Sequence, residues 1–156
     1  MTKKEKTMKS LGLIGLFITS LTISSAFAGN TNSFKIVDDT IPKPLTAVAG
    51  DAKAGQTVFT NRKLGNCLAC HQVTRLNEEL FHGEIGPSLD GVADRYSQAE
   101  LRMLVVNAKQ IFPETIMPAF YRTEGLHRVL KGFDGKTVLK AQQVEDLLSF
   151  LAELKE

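Results

Sequence analysis

The sequence predicts an all-α fold of three main helices joined by long loops. Three observations carry that reading. Three segments of the chain repeat apolar residues at helical spacing. Two of them open on a capping residue, and a glycine or a proline marks where they stop. The intervals 72–96 and 113–140 read as loops, too long for a small domain unless something holds them.

Taken in chain order, the first segment is a targeting signal. Met1–Ser10 is basic, Leu11–Ile23 is a 13-residue apolar run, and Ser24–Ala28 offers Ala26 and Ala28 as the small residues of a cleavage site. A run of 13 is short of the roughly 20 residues that span a bilayer. Residues 1–28 are therefore expected to be removed between Ala28 and Gly29, leaving a soluble, exported protein with no membrane segment. Residues 29–50 hold Pro42 and Pro44 and read as an extended arm. Phe34, Ile36 and Ile41 suggest that part of it lies on the body or on a partner.

The compact domain is expected over 51–156. Asp51 can cap a helix running from Ala52 to about Arg62, with Gly55, Val58 and Phe59 on one face and Gly65 as a left-handed stop. Ser97 and Glu100 form the S-x-x-E box that opens a helix over 97–110. Leu101, Leu104, Val105, Ala108 and Phe112 make its stripe, and Pro113 ends it. Met103 and Val106 fall off that stripe and are expected to face outward. Asp134–Gly135 marks a tight turn, with a short hairpin around it between Phe133 and Leu139. The last helix spans roughly 141–155 on the stripe Val144, Leu147, Leu148, Leu151 and Leu154, with Lys140 a weak cap.

Charge excludes one class of function. The whole chain carries 19 Lys+Arg against 17 Asp+Glu, a net of +2. Without residues 1–28 it loses four lysines and one glutamate, so 15 basic and 16 acidic residues remain over 128 positions. A net of −1 with no basic cluster argues against nucleic-acid binding.

Cys67-Leu68-Ala69-Cys70-His71 is a C-x-x-C-H run, the attachment signature of c-type haem. Two thioethers from Cys67 and Cys70 would fasten one haem c, and His71 would bind the iron. A redox dithiol would need a thioredoxin-like strand–helix unit, which is missing here. A zinc site would need four ligands, and His82 and His127 stand alone. A plain disulfide is possible in an exported protein.

The second axial ligand follows by elimination. After the signal, the methionines are Met103 and Met117. Met103 lies about 200° from the core stripe at about 100° per residue. Met117 sits in the irregular run Pro113–Pro118, where Pro118 keeps it out of helix. Met117 is the better ligand, with His82 and then His127 as substitutes. A thioether favours reduced iron, and two protein ligands leave no open position for substrate. Gly86–Pro87 could place a carbonyl against His71, since ligating histidines usually donate their other ring N–H. The same dipeptide also reads as an ordinary turn.

These residues together resemble a class I cytochrome c: CLACH, GPSLDGVA, MPAF and a C-terminal amphipathic helix, over residues 51–156. Within that superfamily GPSLDGVADRY, AELRMLVVN, PETIMPAFYR and AQQVEDLLSFLAEL look like the SoxX family, the monohaem subunits of SoxXA complexes. The resemblance implies the three-helix cytochrome c fold, with Gly55 and Phe59 where the first and last helices cross. It implies that the Pro87 carbonyl accepts a hydrogen bond from His71. It also implies a periplasmic SoxA-type haem c partner. That pair, an L-cysteine S-thiosulfotransferase, joins thiosulfate to a cysteine of a carrier protein. The SoxX-like chain would relay electrons to an acceptor cytochrome and perform no substrate chemistry itself. The alternatives are a free-standing electron carrier, or a haem sensor or peroxidatic enzyme with a displaceable ligand.

Overall fold

The protein is described by a computed structural model covering residues 34–156. The expected signal segment, its cleavage site and the first residues of the arm lie outside the described residues. The described residues contain four α-helices, several 3-10 turns and no strand beyond one isolated bridge.

Helix α1 (Ala52–Thr60) starts where the Asp51 carboxylate accepts the Ala54 N–H at 2.7 Å. It ends two residues before Arg62, with the Asn61 N–H on the Thr57 carbonyl at 3.0 Å. The left-handed residue after it is Asn66, at φ 49°, not Gly65. What Gly65 supplies is closeness: a Cβ there would lie 2.9 Å from the Val58 carbonyl oxygen and 3.0 Å from Cys67 Sγ. A single helical turn, α2 (Val92–Arg95), sits inside the loop 72–96.

Helix α3 (Gln98–Asn107) carries the full capping box, with the Ser97 N–H on Glu100 Oε2 at 2.7 Å and the Glu100 N–H on Ser97 Oγ at 3.3 Å. It tightens into a 3-10 turn, Ala108–Gln110. Helix α4 (Ala141–Leu151) stops short of Lys155. Lys140 has no acceptor to offer as a cap, but its N–H donates to Gln143 Oε1 at 2.8 Å, which supplies half of a capping box.

Helices α1 and α4 form the principal helix pair. Gly55 allows their backbones to touch: a Cβ there would lie 2.6 Å from the Asp146 carbonyl carbon and 2.9 Å from Phe150 Cβ. Phe59 and Phe150, both fully buried, pack at the same crossing with ring centroids 5.4 Å apart. Burying each such ring is worth about 1.5–3 kcal/mol.

Helix α3 departs from expectation. Met103 and Val106 are fully buried, not outward-facing. The helix is apolar around most of its circumference, and such a helix is covered on more than one side. The added cover includes the arm. Ile41 is fully buried, and its N–H bonds the Ala99 carbonyl at 3.1 Å. Phe34 packs against Tyr121 at 6.3 Å, whereas Ile36 stays exposed. A tight turn at Val37–Thr40, with Asp38 and Asp39 left-handed, folds the arm back on itself.

The expected hairpin near Gly135 is absent from the described residues. Gly135 does take φ +63° in a turn, but its flanks form the 3-10 turn Lys131–Phe133 and irregular backbone. The run 127–136 is exposed throughout, so it has no packed face to reward strand pairing.

The two long loops are tied to the helices. Arg75 pairs with Glu153 at 2.6 Å and stacks over Phe150 at 5.3 Å. In the second loop the N–H groups of Phe120 and Tyr121 bond the carbonyls of Val105 and Val106 at 3.2 and 3.3 Å. Among the described residues no helix is long and apolar enough to cross a membrane.

Candidate functional site

A cavity of about 580 Å³ opens between the two loops and the helices. Cys67, Cys70 and His71 line it from the turn before the first loop, Gly86 and Pro87 from that loop, and Met117 from the second. Apolar side chains complete the wall, among them Phe59 and Leu101 with Leu147 and Leu151 of α4.

The C-x-x-C-H run lies in a 3-10 turn, Cys67–Ala69, entered through left-handed Asn66. The His71 N–H bonds the Cys67 carbonyl at 2.9 Å, which brings both cysteines and the histidine to one wall. No disulfide joins Cys67 to Cys70. Burial pushes the Cys67 thiol up to about 12.

His71 Nδ1 lies 2.8 Å from the Pro87 carbonyl oxygen. A carbonyl only accepts, so the proton sits on Nδ1 and the Nε2 lone pair is free for a metal. Gly86 fits beneath the ring: a Cβ there would stand 2.6 Å from Nδ1 and 2.8 Å from Nε2. The Gly86 N–H on the Cys70 carbonyl, 2.8 Å, holds this loop in place.

The other candidate ligands lie elsewhere. His82 spends both nitrogens within its own loop. Nε2 donates to the Leu76 carbonyl at 2.9 Å, and Nδ1 accepts the Val73 N–H at 3.4 Å. His127 is exposed on the second loop, and Met103 lies in the core; neither lines the cavity.

Several supporting residues escaped the sequence reading. Arg95 lines the cavity and donates to the Asp90 and Ser88 carbonyls at 2.7 and 3.0 Å, bracing the turn after Pro87. Asp90 accepts from Thr74 Oγ1 at 2.7 Å, from the Thr74 N–H at 2.9 Å and from Ser88 Oγ at 3.0 Å. The Thr74 hydroxyl is the main reason its carboxyl titrates below the usual carboxylate range. A depressed folded value means stability that is present above the unfolded value of about 3.9 and lost as pH falls through the folded one. Thr74→Val is therefore expected to raise the Asp90 pKa, moving that loss to higher pH. A two-dimensional NMR titration of Asp90 checks this; an unmoved midpoint contradicts the assignment.

The residues present fit a haem. One apolar cavity gathers two thiols, an imidazole with its Nδ1 proton committed, and a thioether. The cytochrome c family profile matches residues 52–155. The chain is also similar to the crystal structure of SoxXA from P. pantotrophus, with 42% identity and a TM-score of 0.73 over 79% of this chain and 95% of that one. A comparison with curated proteins finds no match.

Fold and site together define a class I cytochrome c, three main helices around a covalently held haem c. The chain belongs to the cytochrome c family and is of the SoxX type.

Proposed function

We propose that this chain is the electron-transfer subunit of a periplasmic thiosulfate-oxidising complex. It would pair with a second haem c chain of SoxA type, in which thiosulfate is joined oxidatively to a cysteine of a carrier protein. Forming that sulfur–sulfur bond releases two electrons, which this chain would accept singly and pass to an acceptor cytochrome. The carrying observation is that His71 and Met117, from different segments, line the same apolar cavity. The likeness to a SoxXA structure supports the choice of partner.

When bound, the haem supplies a one-electron iron couple. Cys67 and Cys70 would hold it by thioethers, and His71 Nε2 and Met117 Sδ would be the donors to its iron. The Pro87 carbonyl fixes the imidazole orientation and raises its basicity. The Met117 thioether favours the reduced state and so raises the potential. Phe59, Leu101, Leu147 and Leu151 keep water from the cavity wall. With two protein donors for the iron, the chain would move electrons and leave bond-making to its partner.

Co-expression with a SoxA-type chain tests the reading. A stable complex with one haem on this chain, reduced when thiosulfate and carrier protein are added, supports it. A monomer that never pairs and only shuttles electrons would make this a free-standing carrier. At the site, Met117→Ala is expected to abolish the thioether-to-iron charge-transfer band, and Met103→Ala to leave it unchanged. The opposite result in the visible spectrum would reassign the ligand.

A further inference from the structure

The loop that presents Met117 has little backbone support. The Phe112 N–H bonds the Ala108 carbonyl at 2.8 Å, and the Thr115 N–H bonds the Phe112 carbonyl at 3.0 Å. Beyond that, no backbone–backbone hydrogen bond among the described residues reaches positions 116–119 until the Phe120 N–H meets the Val105 carbonyl. Pro113 and Pro118 each remove a donor from the same stretch. Two side chains supply the missing bonds. The Met117 N–H donates to Thr115 Oγ1 at 3.2 Å. Lys109 Nζ donates to the Thr115 carbonyl and, at 3.3 Å, to the Met117 carbonyl. An ammonium has three donors and can hold two carbonyls at once. Lys109 itself stands on the 3-10 turn that extends α3, so it anchors the loop to a packed helix.

We propose that Lys109 is a positioning residue for Met117. By bridging the Thr115 and Met117 carbonyls it keeps the thioether at the cavity, so that an outside ligand cannot readily take its place. The inference rests on Met117 being an axial ligand. The Thr115 hydroxyl is the second part of the same clamp.

The test is imidazole titration of the ferric, haem-loaded protein, followed in the visible spectrum. Lys109→Met keeps most of the stem and removes both bonds. It is expected to tighten imidazole binding about tenfold, the scale of losing a charge-assisted hydrogen bond. Lys109→Arg can still reach two carbonyls and is expected to stay within about twofold of the parent. Thr115→Val should fall between them.

Unchanged imidazole affinity in Lys109→Met overturns the proposal. So does an equal gain in Lys109→Arg, which would reveal general loosening and not a clamp. A Met117→Ala variant separates the two levels. If it keeps the thioether-to-iron band, the ligand assignment itself fails; if it loses the band while Lys109→Met behaves like the parent, only the clamp fails.

Discussion

Replacing Gly86 with alanine is expected to displace the His71 ring, the proposed iron ligand, and to lower the yield of haem-loaded protein. The three atoms nearest the new Cβ all belong to the His71 ring, with Nδ1 at 2.6 Å and Nε2 at 2.8 Å. No real Cβ sits that close, so the ring or the loop must move. The loop is fixed on both sides, by the Gly86 N–H on the Cys70 carbonyl and by the adjoining proline. The ring is therefore the part that yields, and its 2.8 Å bond to the Pro87 carbonyl breaks. Overpacking of this kind costs about 1–3 kcal/mol, and the lost bond adds about 1 kcal/mol. The backbone angle at Gly86 is not left-handed, so the effect is purely steric. Haem content per chain and the spin state in the visible spectrum check it. A Gly86→Ala protein with full haem and an unchanged low-spin spectrum would refute the geometry.

The second large effect concerns the buried pair Arg102–Glu145. Arg102 Nε and Nη2 bond the two Glu145 oxygens at 2.8 and 2.9 Å, and Nη1 bonds the Ile41 carbonyl at 2.8 Å. Glu145 Oε1 also accepts the Leu45 N–H at 2.9 Å. One ion pair thus joins α3, α4 and the arm, with side chains only 3% and 7% exposed. Arg102→Met keeps much of the volume but strands a carboxylate in the interior. Breaking a buried pair from one side costs about 3–5 kcal/mol. The double variant Arg102→Met/Glu145→Met is expected to recover most of that loss, because no charge is then left unpaired. Urea unfolding of the haem-loaded proteins measures both. A single variant as stable as the parent, or a double variant worse than the single, contradicts this account. Protease cutting within 41–50 should rise in Arg102→Met, since the arm loses the Arg102 bond to its Ile41 carbonyl.

The element order was legible because its signals are local. Asp51 and Ser97 cap helices within three residues of themselves, and the apolar stripes mark which faces are buried. The C-x-x-C-H run and the Met117 loop could be singled out because few other soft ligands compete for an iron. The placing of Met103 failed for a physical reason. A stripe shows one buried face of a helix, but it does not show a second face covered by another segment. Arg102 stood in the same apolar run, and a charge there needs a partner; that signal was present and unread.

Residue identities along the chain thus determine the helices, the haem attachment run and the candidate ligands, each from contacts a few residues apart. Packing alone decided how they are held. Arg102 and Glu145 are 43 positions apart, and Leu45 and Glu145 are 100 apart. The arm that covers α3, the pair that locks it and the lysine that braces Met117 form only once distant segments share one interior. There an unpaired charge or an unsatisfied carbonyl is costly, so partners are chosen by the fold and not by spacing.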